Sequence, residues 1–227
     1  MVALDLPTAA EALAMAQRLA GQVGMLKVGL ELFCAEGPAF VRELQKQCPV
    51  FLDLKLHDIP TTVRRALEAV LRLDPRLINV HVQGGPAMLE AAVEAVRVHR
   101  QAGGHTELLG VTVLTSLDRE ALAALGHAGR PGELALAYAK LAAAAGCDGV
   151  VCSAREAAAV REACGEGFSR LTPGIRPAGS ALQDQARVMT PAQALREGAT
   201  WLVVGRPITH APDPAAAAEA ILAEMEA

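Results

Sequence analysis

Aromatic residues are scarce in this 227-residue chain: 3% of it, with one Trp, one Tyr and four Phe, although 52% is hydrophobic. The apolar mass is therefore Ala, Leu and Val, which suits many helices packed around buried strands rather than a sandwich. Basic excess is lacking as well, with 21 Lys and Arg against 25 Asp and Glu and a net charge of -4. This excludes a broad basic face for nucleic acid, so an anionic ligand has to meet local positive charge. The five cysteines (Cys34, Cys48, Cys147, Cys152, Cys164) are odd in number and never spaced as CxxC. Neither a disulfide framework nor a zinc site is implied, and reduced thiols in a cytoplasm fit best. The opening MVALDLPTAAEA has no basic start and meets Asp5 before any apolar run, so no signal segment is expected. No stretch approaches the roughly 18 uninterrupted apolar residues of a membrane span. Four lysines against seventeen arginines and a single asparagine fit a heat-adapted protein and a GC-rich genome equally, so they say nothing of stability.

What the chain does have is alternation. Eight β-rich runs, at 2–6, 25–30, 50–55, 77–82, 108–114, 148–153, 169–174 and 201–206, alternate with longer Ala- and Leu-rich amphipathic runs. Thr8 is a candidate N-cap of the first helix and Gly21 its stop. Alternating strands and helices predict parallel strands with right-handed crossovers, either in an open doubly wound sheet or in a closed barrel. The count of eight favours an α/β fold of the (β/α)8 TIM-barrel type, one domain over 1–227. No GxGxxG follows the first strand and no GxxxxGK[ST] occurs, so the phosphate loops common in open sheets are missing. The segment 116–147 has room for two helices between strands five and six.

In a barrel, chemistry sits at the C-terminal strand ends. Those ends are polar here: Asp5, Lys27, Asp53 with Lys55, His81, Thr115, and Gly205 with Arg206. In FLDLKLHDIPTT, residues 51–62, strand alternation places Phe51, Asp53 and Lys55 on one face and Leu52 and Leu54 on the other. One reading is a buried ion pair closing the barrel top, with Asp58 capping the next helix. The other is a charge array for an anionic ligand, supported by Lys27, Lys55, Arg176 and Arg206 at the same face. The long connection 172–190 reads as a ligand clamp. Gly205 admits a ligand oxygen to the backbone while Arg206 offers a two-pronged donor, where barrels often bind phosphate. His57, His81 and His210 make no metal-ligand pattern, and Cys152 reads as core packing.

Beyond spacing, the ordered segments ALD (3–5), KVGLELF (27–33), FLDLKLHDIPTTV (51–63), VTVLTS (111–116), GVVCSA (149–154), LTPGIRPAGS with DQARVMTPAQA, and VVGRPIT (203–209) resemble the orotidine 5'-phosphate decarboxylase family along nearly the whole chain. The resemblance implies a homodimer without metal or organic cofactor that acts on orotidine 5'-phosphate. It carries Asp5 and Lys27 to the ribose side, Thr115 to the pyrimidine, and Gln185 to a bridge between pyrimidine and phosphate. Arg176, Gly205 and Arg206 go to the phosphate. Asp53 and Lys55 act in their own subunit's site, while Asp58, Ile59 and Thr62 reach the partner's. The implied reaction forms a vinyl carbanion that Lys55 protonates. Two alternatives stay open. One is a related magnesium-using phosphosugar decarboxylase or aldolase of the 3-keto-gulonate 6-phosphate type, which carries a glutamate where this chain has Lys27. The other is a noncatalytic barrel that binds pyrimidine nucleotides.

Overall fold

The computed structural model describes residues 1–177 and 189–226. Each strand candidate carries a strand: β1 (Val2–Ala3), β2 (Leu26–Gly29), β3 (Val50–Leu56), β4 (Leu77–His81), β5 (Glu107–Val111), β6 (Gly149–Val151), β7 (Ser169–Thr172) and β8 (Trp201–Leu202). The helices α1 (Ala9–Arg18), α2 (Leu30–Gln45), α3 (Pro60–Val70), α4 (Pro86–Gln101), α6 (Pro131–Ala145), α7 (Ala157–Cys164), α8 (Pro191–Arg196) and α10 (Pro214–Glu226) run between and after them. The segment between β5 and β6 holds two helices as expected, α5 (Arg119–Ala124) before α6, and a single turn, α9 (Arg206–Thr209), follows β8.

Local chemistry marks the boundaries. The Thr8 hydroxyl accepts from the Glu11 amide at 3.3 Å and starts α1, and the Asp118 carboxylate does the same for α5 through Ala121 at 2.8 Å. Both satisfy amides that the first helical turn leaves without a backbone partner. Gly146 ends α6 in the left-handed region at φ 94°, a conformation glycine adopts without steric penalty.

All neighbouring strands pair in parallel and in chain order from β1 to β8. The sheet then closes on itself: the Ala3 amide donates to the Val204 carbonyl at 2.8 Å, and the Val204 amide to the Met1 carbonyl at 3.1 Å. Closure removes both sheet edges and with them the open doubly wound alternative. Side-chain alternation divides the core in two. Ala3, Met25, Phe51, Leu77, Leu109, Leu171 and Val203 fill the barrel interior. Leu4, Leu26, Val28, Leu52, Leu54, Ile78 and Val80 face the helices in a larger cluster. With so few aromatics, Phe51 is the bulkiest fully buried side chain and plugs the interior beneath the polar strand ends.

Small residues set how closely the strands approach. A Cβ added at Gly149 would collide with the carbonyl oxygen and Cβ of Ser169 on β7, and a backbone oxygen cannot rotate away as a side chain does. Gly149→Ala is expected to destabilise the fold by at least about 2 kcal/mol, at the upper end of overpacking costs. The check is a lowered urea midpoint at unchanged slope.

Among the described residues, no helix is long and apolar enough to cross a membrane. All five cysteines are free thiols. Cys152 packs in the core, 2% exposed. Burial there pushes its thiol far above the ordinary range, which keeps it protonated and unreactive.

Candidate active site

Two adjoining cavities open among the C-terminal strand ends. The outer one, about 560 Å³, is lined by Asp5, Lys27, Asp53, Lys55, Arg176, Gly205, Arg206 and His210. The inner one, about 170 Å³, is walled by Phe51, Val111, Val113, Thr115, Val151, Cys152 and Leu171. Lys27, Asp53 and Lys55 line both, so the charges stand at the seam between a polar chamber and an apolar one.

At that seam acids and ammonium groups alternate. Lys27 Nζ lies 3.0 Å from Asp5 Oδ1 and 3.4 Å from Asp53 Oδ2, and Lys55 Nζ lies 2.6 Å from Asp53 Oδ1. The Lys27 and Asp53 side chains are only 10% and 13% exposed, so each depends on its oppositely charged neighbours, Lys27 on Asp5 and Asp53, and Asp53 on Lys27 and Lys55. Burial alone pushes the Asp53 carboxyl up. The Lys27 and Lys55 ammonium groups, with hydrogen bonds from Lys55 and Asn79, outweigh it and hold the group below the usual carboxylate range. A carboxylate depressed in this way contributes stability above its unfolded-state value, and the contribution is lost as pH falls through the folded-state value. The four charges of the row cancel, and Arg176 and Arg206 bring further positive groups to the outer cavity.

Lys55 does not reach the seam by regular alternation. Leu52 pairs with Ile78 and Leu56 with Val80, so four steps along β3 match two along β4, which makes a bulge. Within it Lys55 takes φ 50°, a left-handed conformation uncommon for a residue with a Cβ. Its amide leaves the ladder and donates to Asn79 Oδ1 at 2.7 Å, while Asn79 Nδ2 donates to Asp53 Oδ1 at 2.7 Å. Asn79 is fully buried. It is the residue that reading the motif missed, and its signal was available: an amide at an inward position of a strand whose other residues before His81 are Leu, Ile and Val.

Of the residues singled out from the sequence, Asp5, Lys27, Asp53, Lys55, Thr115, Arg176, Gly205 and Arg206 line these cavities. Asp58, Ile59 and Thr62 do not. All three are exposed, Ile59 by 66%. Among the described residues the Asp58 carboxylate accepts only from the adjacent Ile59 amide at 2.6 Å, and Ile59, the N-cap of α3, makes no side-chain capping bond. Asp58 thus does not cap the helix in the way the ion-pair reading needs. Gln185 lies outside the described residues. The His57 and His81 rings stack obliquely at 5.5 Å, and burial followed by the neighbouring His57 lowers the His81 pKa. Among the described residues no cluster of three or more His, Cys, Asp or Glu is placed to hold a metal ion.

Fold and site together define a closed (β/α)8 barrel that carries its polar machinery at the C-terminal strand ends, where barrel enzymes do their chemistry. The family model described as "Orotidine 5'-phosphate decarboxylase / HUMPS family" matches residues 1–221. The chain is 54% identical over 230 residues to the orotidine 5'-phosphate decarboxylase of Moorella thermoacetica, covering 100% of this chain and 91% of that protein. It is 54% identical over 224 residues to that of Anaeromyxobacter sp. (strain K), covering 98% and 96%. The crystal structure of orotidine 5'-phosphate decarboxylase from Lactobacillus acidophilus superposes with a TM-score of 0.88 at 38% identity, over 100% of this chain and 98% of that one. This protein belongs to the orotidine 5'-phosphate decarboxylase / HUMPS family.

Proposed function

We propose that this protein decarboxylates orotidine 5'-monophosphate to uridine 5'-monophosphate, a step of pyrimidine nucleotide synthesis, as a cytoplasmic homodimer. The observation that carries the reading is the Asp5, Lys27, Asp53, Lys55 row at the seam of the two cavities. The apolar inner chamber suits the pyrimidine, and Arg176, Gly205 and Arg206 in the outer one suit the 5'-phosphate. Lys27 separates this reading from the magnesium-using branch: its ammonium, 3.4 Å from Asp53, repels a divalent cation from the carboxylate that would bind it.

The chemistry has one difficult intermediate. Breaking the bond between C6 and the carboxylate leaves the electron pair on C6, a vinyl carbanion with no adjacent carbonyl to delocalise it. Asp53, held anionic, stands against the substrate carboxylate and raises the ground state. Lys55 stabilises the growing negative charge and then transfers a proton from Nζ to C6 as carbon dioxide departs. Asp58, Ile59 and Thr62, exposed at the start of α3, are the residues one subunit offers to the other's site. There Asp58 favours the charged form of the partner's Lys55.

Phosphate binding far from C6 supplies the energy that holds these like charges together. Arg206→Ala is therefore expected to lower kcat/KM by about 10²- to 10³-fold, the scale of breaking a desolvated charge pair. A loss below about threefold would remove Arg206 from the phosphate site. The direct test of the function is the fall in ultraviolet absorbance when purified protein meets orotidine 5'-monophosphate with excess chelator present. Rapid loss of the orotate chromophore supports the reading. Binding of uridine 5'-monophosphate without turnover would overturn it and leave a nucleotide-binding barrel.

A further inference from the structure

Asn79 is the only asparagine in the chain, and its side chain joins the two residues at the centre of the proposed chemistry. Its Oδ1 accepts from the Lys55 amide at 2.7 Å, and its Nδ2 donates to Asp53 Oδ1 at 2.7 Å. The orientation of the amide follows from chemistry: a backbone N–H needs an acceptor and a carboxylate needs a donor. We propose that Asn79 is a positioning residue for the decarboxylation, a clamp that holds the Lys55 backbone in its left-handed conformation and the Asp53 carboxylate in one plane. The proposal rests on the function proposed above.

Three observations make the clamp specific. The β3 bulge takes the Lys55 amide out of the ladder, and inside the barrel an orphaned N–H is costly. The left-handed φ of Lys55 persists only where surrounding contacts enforce it. Asp53 Oδ1 receives both Asn79 Nδ2 and Lys55 Nζ, which leaves Oδ2 facing Lys27. One amide thus sets the backbone that bears the ammonium and the carboxylate that anchors it. No other side chain of this size offers both functions without charge. Aspartate keeps the acceptor but sets a second carboxylate against Asp53, leucine offers neither group, and glutamine adds a methylene to a fully packed site.

The test compares wild type, Asn79→Ala and Asn79→Asp in steady-state decarboxylation of orotidine 5'-monophosphate across pH, with uridine 5'-monophosphate affinity and thermal unfolding measured in parallel. Lys27 on β2, Lys55 on β3 and His81 on β4 surround Asp53 together with Asn79, and Asp5 acts on it through Lys27. These charges are the same in Asn79→Ala, so a changed profile reports the lost amide. Asn79→Ala is expected to lower kcat by about 10²-fold, the cost of misplacing a reacting group by about 1 Å. Its KM and nucleotide affinity stay within about threefold, and its acid limb of kcat/KM moves to higher pH as Asp53 loses a donor. In Asn79→Asp the two carboxylates share one proton at acid pH, and that acid again donates to Asp53. Its activity relative to wild type is expected to rise as pH falls.

A purely structural role would reduce the folded fraction and leave both profiles parallel to wild type. Parallel profiles, or a kcat for Asn79→Ala within about threefold of wild type, would overturn the proposal. If Asn79→Ala does not fold, the relative pH profile of Asn79→Asp decides alone. Absence of turnover by wild type would instead overturn the function on which the proposal stands.

Discussion

Replacing Lys55 with alanine is expected to slow decarboxylation by about 10⁴-fold or more. A positioned proton donor is worth about 10²- to 10⁴-fold, and one preorganised electrostatic contact to a developing anion about 10²- to 10³-fold. In the proposed reaction Lys55 supplies both from one nitrogen. The loss there falls mainly on kcat, because the groups assigned to the phosphate, Arg176 and Arg206, and the apolar walls assigned to the pyrimidine stay in place when the Lys55 side chain is cut back. Removing the ammonium 2.6 Å from Asp53 also takes away one of the groups that holds that carboxyl down, so the variant's residual activity fails further as pH falls. Single-turnover decay of the orotate absorbance, with uridine 5'-monophosphate affinity measured alongside, separates the two effects. A loss of less than about tenfold at unchanged nucleotide affinity would remove Lys55 from the proton-transfer step.

Mixing two inert variants is expected to restore activity. If Asp58 completes the partner's site, Lys55→Ala and Asp58→Ala are each deficient alone. A heterodimer of the two then contains one site that lacks both groups and one that lacks neither. Random exchange of subunits at equal concentration makes half of the dimers mixed, so the mixture recovers about one quarter of wild-type turnover under two-fold symmetry. The geometry motivates the experiment: Asp58, Ile59 and Thr62 are exposed outside their own cavity, while Asp53 and Lys55, only a few residues earlier, lie inside it. Recovery is measured after co-refolding or slow subunit exchange. If activity stays at the sum of the two variants while mixed dimers are shown to form, Asp58 acts within its own chain.

Much of this could be read from residue order. The eight strands announce themselves because β-rich runs alternate with amphipathic ones, and the barrel-facing and helix-facing sets separate by parity: Phe51 with Leu77 and Leu171 inward, Leu52 with Ile78 outward. Gly205 and Arg206 are legible for the same reason, since a polar pair ending an apolar run marks a strand end. The Asp53, Lys55, Asp58 spacing is harder. In LDLKL the hydrophobic pattern is that of an unbroken strand, so it carries no sign of the bulge or of the left-handed turn at Lys55.

The residues alone therefore determined which side chains face the interior and which chemistry is available there, because parity and residue type are local properties. Tertiary structure decided the rest. Whether the sheet closes depends on hydrogen bonds between Met1, Ala3 and Val204 at opposite ends of the chain. Whether Lys55 can hold its strained backbone depends on an asparagine 24 residues away on the next strand. That Asp58 leaves the cavity depends on where α3 begins relative to the barrel rim. Each requires the register between strands distant in sequence, and register emerges only when every strand buries its apolar face at once.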